Sequence, residues 1–184
     1  MADLVAQIMN NILALDQSSI TSGFSVFQEG QLKDYGTFTI SSTKDLPTRL
    51  VKIREKILEL ISNYNIDVVY YEDIQLQAKV PNNVKTFKVL SEVIGVVSET
   101  CKEHNMRAEV VPPVVWKAAI KIPTQKTRKI QKELTQEYVL NVYKVEASED
   151  ASDAIGIGTY ANQKENNISI PENSKLELGF DWSD

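Results

Sequence analysis

Residues 11–40 have the sequence NILALDQSSITSGFSVFQEGQLKDYGTFTI. The apolar run at residues 11–16 ends in a carboxylate, which is typical of a strand buried on both faces. Residues 22–27 and 32–40 are further strand candidates, rich in Tyr, Phe and Thr and separated by a turn at residues 29–31. Because consecutive strands joined by short turns pair antiparallel, this stretch predicts a three-stranded antiparallel meander.

The rest of the chain alternates helices with single strands. Helices are predicted where apolar residues recur with helical spacing, and strands where β-branched and aromatic residues follow one another. The predicted order, β-β-β-α-β-α-β-α-α-α, indicates an α/β fold with three antiparallel and two parallel strands flanked by helices. The later strands are predicted at residues 66–71 and 108–111, and the helices at 46–63 (capped by Ser42 or Thr43), 83–103, 112–117, from Thr124 or Thr127 to about 139, and at 148–162.

The composition fits one globular domain. With 184 residues, 42% of them hydrophobic and 24% charged, the chain can bury a core without disulfide or zinc staples. Its single cysteine, Cys101, and single histidine, His104, exclude an intrachain disulfide and a multi-histidine zinc site. No apolar run has the ~18 residues of a membrane span, and a secretory signal is not evident. We therefore expect a cytoplasmic protein, and Cys101 as a buried reduced thiol.

The last residues differ in composition from the domain. We expect the folded domain to cover residues 1–163, followed by a polar, acidic tail over residues 164–184. Alternating apolar residues within this tail are compatible with an added edge strand. These residues are Leu176, Leu178, Phe180 and Trp182.

Charge is distributed unevenly along the chain. The formal net charge is -5, yet residues 133–184 hold eleven acidic and three basic residues, so the earlier part is net positive. A cationic stretch without acids lies within residues 117–132. Such a stretch is typical of a phosphate-binding face, although a merely solvated helix face has the same composition. Its members are Lys117, Lys121, Lys126, Arg128, Lys129 and Lys132.

Four carboxylates stand where the pattern makes a charge costly. Asp16 and Glu72 end hydrophobic strands, where a buried charge needs a partner or a bound cation. Asp150 and Asp153 are three residues apart at the start of the last helix, so they share one face. If that helix packs across the sheet, all four carboxylates meet, and such oxygen ligands favour Mg²⁺.

Each acid alone also has a simpler explanation. Asp16 suits a turn, Glu72 suits a solvated strand end, and Asp150 suits the first turn of a helix, where Glu149 is a second acid. Asp153 is harder to explain in this way, because the apolar run at residues 154–158 follows it directly. The combination is therefore more informative than any single acid.

The same residues resemble a known family. The pattern is ILALD at residues 12–16 with Ser18, Ser19 and Gly23, then VVYYE at residues 68–72, then DASDAIGI at residues 150–157. It resembles the RuvC family of Holliday junction resolvases, within the ribonuclease H-like superfamily, and in particular the RuvC-like endonucleases of lactococcal bacteriophages. The resemblance extends from about residue 11 to residue 161.

The resemblance implies a ribonuclease H-like fold and a structure-selective, metal-dependent DNA endonuclease. Such an enzyme resolves Holliday junctions in DNA recombination and repair by paired nicks, through two-metal phosphodiester hydrolysis. It places the catalytic, metal-binding acids at Asp16, Glu72, Asp150 and Asp153, with Asp16 bridging two Mg²⁺ ions for which Mn²⁺ can substitute. Glu149 stays open as an alternative to Asp150. If the chain is phage-encoded, it acts in the host bacterial cytoplasm.

The resemblance also implies how DNA and a second subunit bind. Lys117 corresponds to a DNA-contacting lysine of the family, and the helix over residues 83–103 corresponds to the helix that forms much of the family's homodimer interface. In this helix Ser91, Gly95 and Ser98 form a stripe of small residues, which fits either a dimer contact or packing on the chain's own sheet. Further DNA-binding candidates are Lys121, Lys126, Arg128 and Lys129, and the choice among Lys126, Arg128 and Lys129 for the position nearest the scissile phosphate stays open.

One departure from the family affects substrate choice. Bacterial members usually carry an aromatic wedge three residues after the strand-four glutamate, and here Gln75 takes that position. We expect Gln75 to contact DNA without opening the junction, so that forks and flaps are also cleaved. Trp116 lies beside Lys117 and is compatible with stacking on a DNA base or sugar. An anchor in the hydrophobic core is the preferred interpretation.

Three other functions compete with this hypothesis. The first is a non-catalytic module that binds branched DNA. The second is a ribonuclease H-like nuclease acting on RNA or RNA–DNA hybrid, because the acids alone do not discriminate the 2′-hydroxyl. The third is an actin-like ATPase, loosely suggested by residues 15–23, for which the chain lacks a second domain and a glycine-rich phosphate loop.

Overall fold

A mixed five-stranded sheet forms the centre of the protein. The structure is a computed structural model that describes residues 9–76, 83–124 and 126–171. The strands are β1 (Ile12–Asp16), β2 (Thr21–Gln28), β3 (Gln31–Thr39), β4 (Val68–Glu72) and β5 (Arg107–Val111). Their order across the sheet is β3-β2-β1-β4-β5, with β1 to β3 antiparallel and with β4 and β5 parallel to β1. The predicted α/β fold and its strand directions are confirmed.

Helices cover both faces of this sheet. Within the described residues they are α1 (Leu46–Tyr64), α2 (Asn83–Glu103), α3 (Pro113–Ala119), α4 (Arg128–Tyr143) and α5 (Glu149–Asn166). Because side chains alternate along a strand, β1 contributes to a hydrophobic core on each face of the sheet. Leu13 and Leu15 face α1 and α2, while Ile12 and Ala14 face α3, α4 and α5. No helix in the described part of the chain is long and apolar enough to cross a membrane.

The helix α2 packs on the sheet through its own apolar face. Val93, Val97 and Cys101 are fully buried against the sheet, and Gly95 is exposed. Ser98, although also exposed, forms a side-chain hydrogen bond with Tyr71 of β4. Burial raises the pKa of the Cys101 thiol to about 11, and the predicted burial of this residue is confirmed. Of the small-residue stripe, Ser98 therefore contacts the chain's own sheet, whereas a Cβ added to Gly95 would meet no atom within 4 Å.

One helix start differs from the prediction. Asp45, and neither Ser42 nor Thr43, caps α1, because its carboxylate accepts a hydrogen bond from the Thr48 N–H at 2.8 Å. A capping side chain must directly precede the first turn, and the two hydroxyl residues lie too far upstream. Of the two candidates for α4, Thr127 is the cap.

The folded part continues beyond residue 163, the predicted end of the domain. The helix α5 ends at Asn166, and Ile168 then packs closely against Gly30. The Tyr138 hydroxyl donates a hydrogen bond to the Pro171 carbonyl at 3.2 Å. The chain is thus anchored as far as the end of the described range. The predicted edge strand, with Leu176, Leu178, Phe180 and Trp182, lies outside the described residues.

Candidate active site

Two of the predicted acids lie side by side at one edge of the sheet. The parallel strands β1 and β4 pair from Ile12 and Val68 onward, so that Asp16 and Glu72 end neighbouring strands at the same edge. The buried side chain of Gln17 extends this pairing. Its Nε2 donates to the Glu72 carbonyl at 2.6 Å, and its Oε1 accepts from the Glu72 N–H at 3.1 Å. The Gln17 amide therefore fixes the two carboxylates relative to each other.

The helix α5 brings the other two acids to this edge. Ser148 caps the helix, accepting from the Ala151 N–H at 3.3 Å. The first turn then lies directly on β2, where a Cβ added to Gly23 would be 1.9 Å from the Asp150 carbonyl oxygen. Only a glycine permits this approach. As a result Asp153 is buried, at 8% exposure, whereas the Asp150 side chain is 36% exposed at the rim.

The carboxylates interact electrostatically. Burial raises the pKa of Asp16 well above its ordinary value, and repulsion from the other three acids raises it further. Burial likewise raises the pKa of Asp153 to about 7. The pKa of Glu72 is raised by burial, although hydrogen bonding and nearby cations act in the opposite direction. Burial thus disfavours the ionised forms of Asp16, Glu72 and Asp153.

Trp116 holds the Glu72 side chain in place through a hydrogen bond. It is fully buried in α3, and its ring packs against Gly156 of α5, where an added Cβ would be 2.6 Å from the ring. Its indole Nε1 donates to Glu72 Oε1 at 2.9 Å. Trp116 is therefore a core anchor, as the preferred interpretation predicted, and it orients a candidate catalytic carboxylate.

A groove of about 480 Å³ opens over these acids. Asp16, Glu72 and Asp153 lie at its acidic end, and an apolar wall is formed by Ile74, Phe87, Leu90, Pro113 and Val114. Among the predicted DNA-binding residues, Gln75, Lys117 and Arg128 line the groove. Lys121, Lys126 and Lys129 are exposed and are not part of its lining.

The cationic wall of the groove is itself held in place. Lys117 donates from Nζ to Gln131 Oε1 at 3.1 Å, with its ammonium 5.1 Å from the centre of the Trp116 ring. Gln131 also donates to the carbonyls of Thr124 and Lys126, at 2.9 and 2.7 Å. One side chain therefore links the lysine to the loop that precedes α4.

Two residues of the site were missed by sequence analysis. Gln17 has no feature in the sequence that singles it out, and only the register of the sheet shows its side chain bridging two strands. Lys132 was grouped with the cationic stretch, but its ammonium turns inward, 2.5 Å from Glu149 Oε2 and 4.0 Å from Asp150 Oδ1. Its spacing from Arg128, one helical turn earlier, was the available signal.

The donor set fits a hard divalent cation. All four candidate ligands offer carboxylate oxygens, which Mg²⁺ and Mn²⁺ prefer. Over residues 9–76, 83–124 and 126–171, no three Asp, Glu, His or Cys side chains are already closed into a metal-binding group. Burial, and after it repulsion between the acids, raises the pKa values of Asp16 and Asp153, and a bound divalent cation would favour their ionised forms.

Sequence comparison identifies relatives of this chain. Residues 12–160 match the family model described as crossover junction endodeoxyribonuclease RuvC. The RuvC of Alkaliphilus oremlandii is 27% identical over 150 residues, which cover 79% of this chain and 88% of the relative. The RuvC of Citrifermentans bemidjiense is 28% identical over 151 residues, with the same two coverages.

Structural comparison finds the same architecture in solved structures. The RuvC of T. thermophilus in complex with a Holliday junction substrate has a TM-score of 0.68 at 16% identity, covering 88% of this chain and 99% of that one. The Fowlpox virus resolvase in complex with substrate Holliday junction DNA has a TM-score of 0.53 at 16% identity, covering 84% and 97%. The predicted ribonuclease H-like fold is thereby confirmed.

Proposed function

Since this chain belongs to the RuvC family of crossover junction endodeoxyribonucleases, we propose that it cleaves Holliday junctions in DNA by metal-dependent hydrolysis at the groove over Asp16. The observation that carries the proposal is the meeting of four acids, from β1, β4 and α5, beside a cationic wall. Because DNA is the proposed substrate, we expect the protein to act inside the cell, and in the host bacterial cytoplasm if it is phage-encoded.

The metal site is formed by Asp16, Glu72, Asp150 and Asp153. Bound Mg²⁺ ions would lower the pKa of water and neutralise charge on the phosphate and leaving oxygen. Asp16 is central, because it feels repulsion from each of the other three acids. The Trp116 N–H and the Gln17 amide keep the Glu72 side chain and backbone in position.

The phosphate backbone of DNA lies along the cationic wall. Lys117 and Arg128 line the same groove as the acids, so both can reach a phosphate held at the metal site. Of the three candidates for the second basic position, Arg128 is favoured, because Lys126 and Lys129 lie outside the groove lining. Gln75, also in the lining, contacts DNA without an aromatic wedge, and we therefore expect forks and flaps as additional substrates.

A second copy of the chain binds at α2. Two cuts in opposite strands need two active sites, and the exposed Gly95 allows another helix to approach closely. A Cβ added to Gly95 would meet no atom within 4 Å, so this part of the helix is open.

The test uses a labelled four-way DNA junction, with and without Mg²⁺. We expect paired nicks from the wild-type protein and none from Asp16→Asn, which should still bind the junction. The matched control is Asp67→Asn, which removes the same charge at the opposite end of β4, where the Asp67 carboxylate accepts from the Asn11 N–H. This control should retain cleavage.

The other outcomes identify the competing functions. Junction binding without cleavage under any divalent metal would indicate a non-catalytic module. Cleavage of RNA–DNA hybrid alone would keep the metal site and change the substrate. Nicking by pure Asp16→Asn protein would refute the assignment of the metal site itself.

A further inference from the structure

Lys132 occupies a different environment from the other cations of α4. Its side chain is 19% exposed, whereas that of Lys129, three residues earlier, is 86% exposed and pairs loosely with Glu133 at 3.8 Å. The Lys132 ammonium instead lies at the rim of the carboxylate cluster, 4.0 Å from Asp150 Oδ1. It therefore belongs to the acidic site, where its nearest carboxylates are those of Glu149 and Asp150.

The charge of Lys132 acts on the whole cluster. It lowers the pKa values of Asp16, Glu72 and Asp153, each of which burial raises. Partial burial disfavours a charged lysine, yet the pKa of Lys132 is raised above its ordinary value by Glu149 and the site acids. The lysine is consequently a permanent cation at the acidic site.

Glu149 determines where this cation stands. Its carboxylate is 2.5 Å from the Lys132 ammonium, whereas the nearest site oxygen, on Asp150, is 4.0 Å away. The Glu149 side chain is 56% exposed, so its own charge is well screened from the buried acids. Its main contact with the site is through the lysine that it holds.

We propose that Lys132 is a built-in counter-ion that competes with the divalent metal at Asp150, and that Glu149 limits this competition by holding the ammonium aside. The inference rests on the proposed metal site. It assigns to the Lys132–Glu149 pair the setting of metal affinity, a role distinct from ligation and from DNA binding.

The two partners of this ion pair therefore have opposite effects. Lys132→Gln removes the competing cation, so metal binds more tightly while the metal-free protein becomes less stable. Glu149→Gln releases the ammonium onto Asp150, so metal binds more weakly. A purely structural ion pair predicts a loss of stability in both variants and no change in metal affinity in either.

The experiment is a titration of Mg²⁺ against thermal unfolding, without DNA. Lys132→Gln should lower the apparent dissociation constant for Mg²⁺ at least about threefold, and Glu149→Gln should raise it by a similar factor. The double variant should match Lys132→Gln alone, because Glu149 acts through the lysine. The control is Lys56→Gln, whose ammonium pairs with Glu59 at 2.6 Å on α1 and should not affect Mg²⁺ binding.

The outcomes separate this inference from the proposed function. Shifts of the same sign in both single variants, or unchanged affinities, would overturn the inference while leaving the metal site intact. A double variant equal to the sum of the two single changes would also overturn it, since that result indicates two independent charges. A wild-type protein that Mg²⁺ does not stabilise would overturn the metal site itself.

Discussion

A single methyl group at Gly23 should displace two candidate metal ligands. In Gly23→Ala the new Cβ would be 1.9 Å from the Asp150 carbonyl oxygen, and also 2.9 Å from the Ala151 nitrogen. A carbon normally approaches a carbonyl oxygen no closer than ~3.3 Å, so the start of α5 must move by at least about 1 Å. Both contacts are with backbone, and rotation of a side chain cannot relieve them.

The expected cost appears in stability and in catalysis. Overpacking of this kind destabilises a domain by about 1–3 kcal/mol. We expect the larger effect on the rate of cleavage, because Asp150 and Asp153 lie on the displaced turn. A shift of about 1 Å in such groups can lower a rate about 10²-fold. The assay compares single-turnover cleavage of a four-way junction with the unfolding temperature of the same preparation.

The control adds a methyl group away from the site. In Gly36→Ala the new Cβ would meet only the Phe24 ring, at 3.2 Å, which a small movement of a side chain can relieve. This variant should keep cleavage within a few-fold of wild type. Gly23→Ala protein that folds and cleaves at the wild-type rate would refute the proposed coupling between helix position and chemistry.

Three further predictions address metal, DNA and assembly. Mg²⁺ at about 100 times its dissociation constant should stabilise the protein by ~2.7 kcal/mol. Calorimetry would record this as a rise in unfolding temperature that EDTA reverses, and the absence of a rise would contradict the metal site. Replacing Lys117 and Arg128 together with alanine should reduce the slope of log affinity against log salt by about 1.8, two phosphates at ~0.9 each, and an unchanged slope would leave both as solvated charges. Gly95→Arg should convert a dimer into monomers in light scattering, whereas a monomeric wild type would exclude the α2 contact.

The ends of β1 and β4 were predictable from the sequence, because each hydrophobic run stops at a charged residue. The positions of Asp16 and Glu72 follow from that pattern, and parallel pairing brings them to one edge. The i,i+3 spacing placed Asp150 and Asp153 on one helix. It did not predict that one would be buried and the other 36% exposed, because that depends on how α5 rotates against β2.

Other features depend on tertiary packing that leaves no periodic signal. The helix α5 is buried on nearly all sides over residues 151–159, so amphipathic spacing gives no information about its orientation. Lys132 belongs to a cationic stretch whose composition is also typical of a solvated helix face. Only the ion pair with Glu149 shows that its side chain is directed towards the acids. The Gln17 amide became a strand bridge because the sheet register brings Glu72 opposite it.

The separation of the four acids along the chain would link the proposed catalysis to the completion of protein synthesis. Asp16 lies in the first strand and Asp153 in the last helix, so ribosomes finish nearly the whole domain before the site has its full charge. Chains emerge from the amino end, and a chain that stops before Ser148 has only two of the four carboxylates. An unfinished or truncated copy therefore lacks two of the four acids of the proposed hydrolytic centre, and with them the proposed means of damaging the DNA of the cell that makes it.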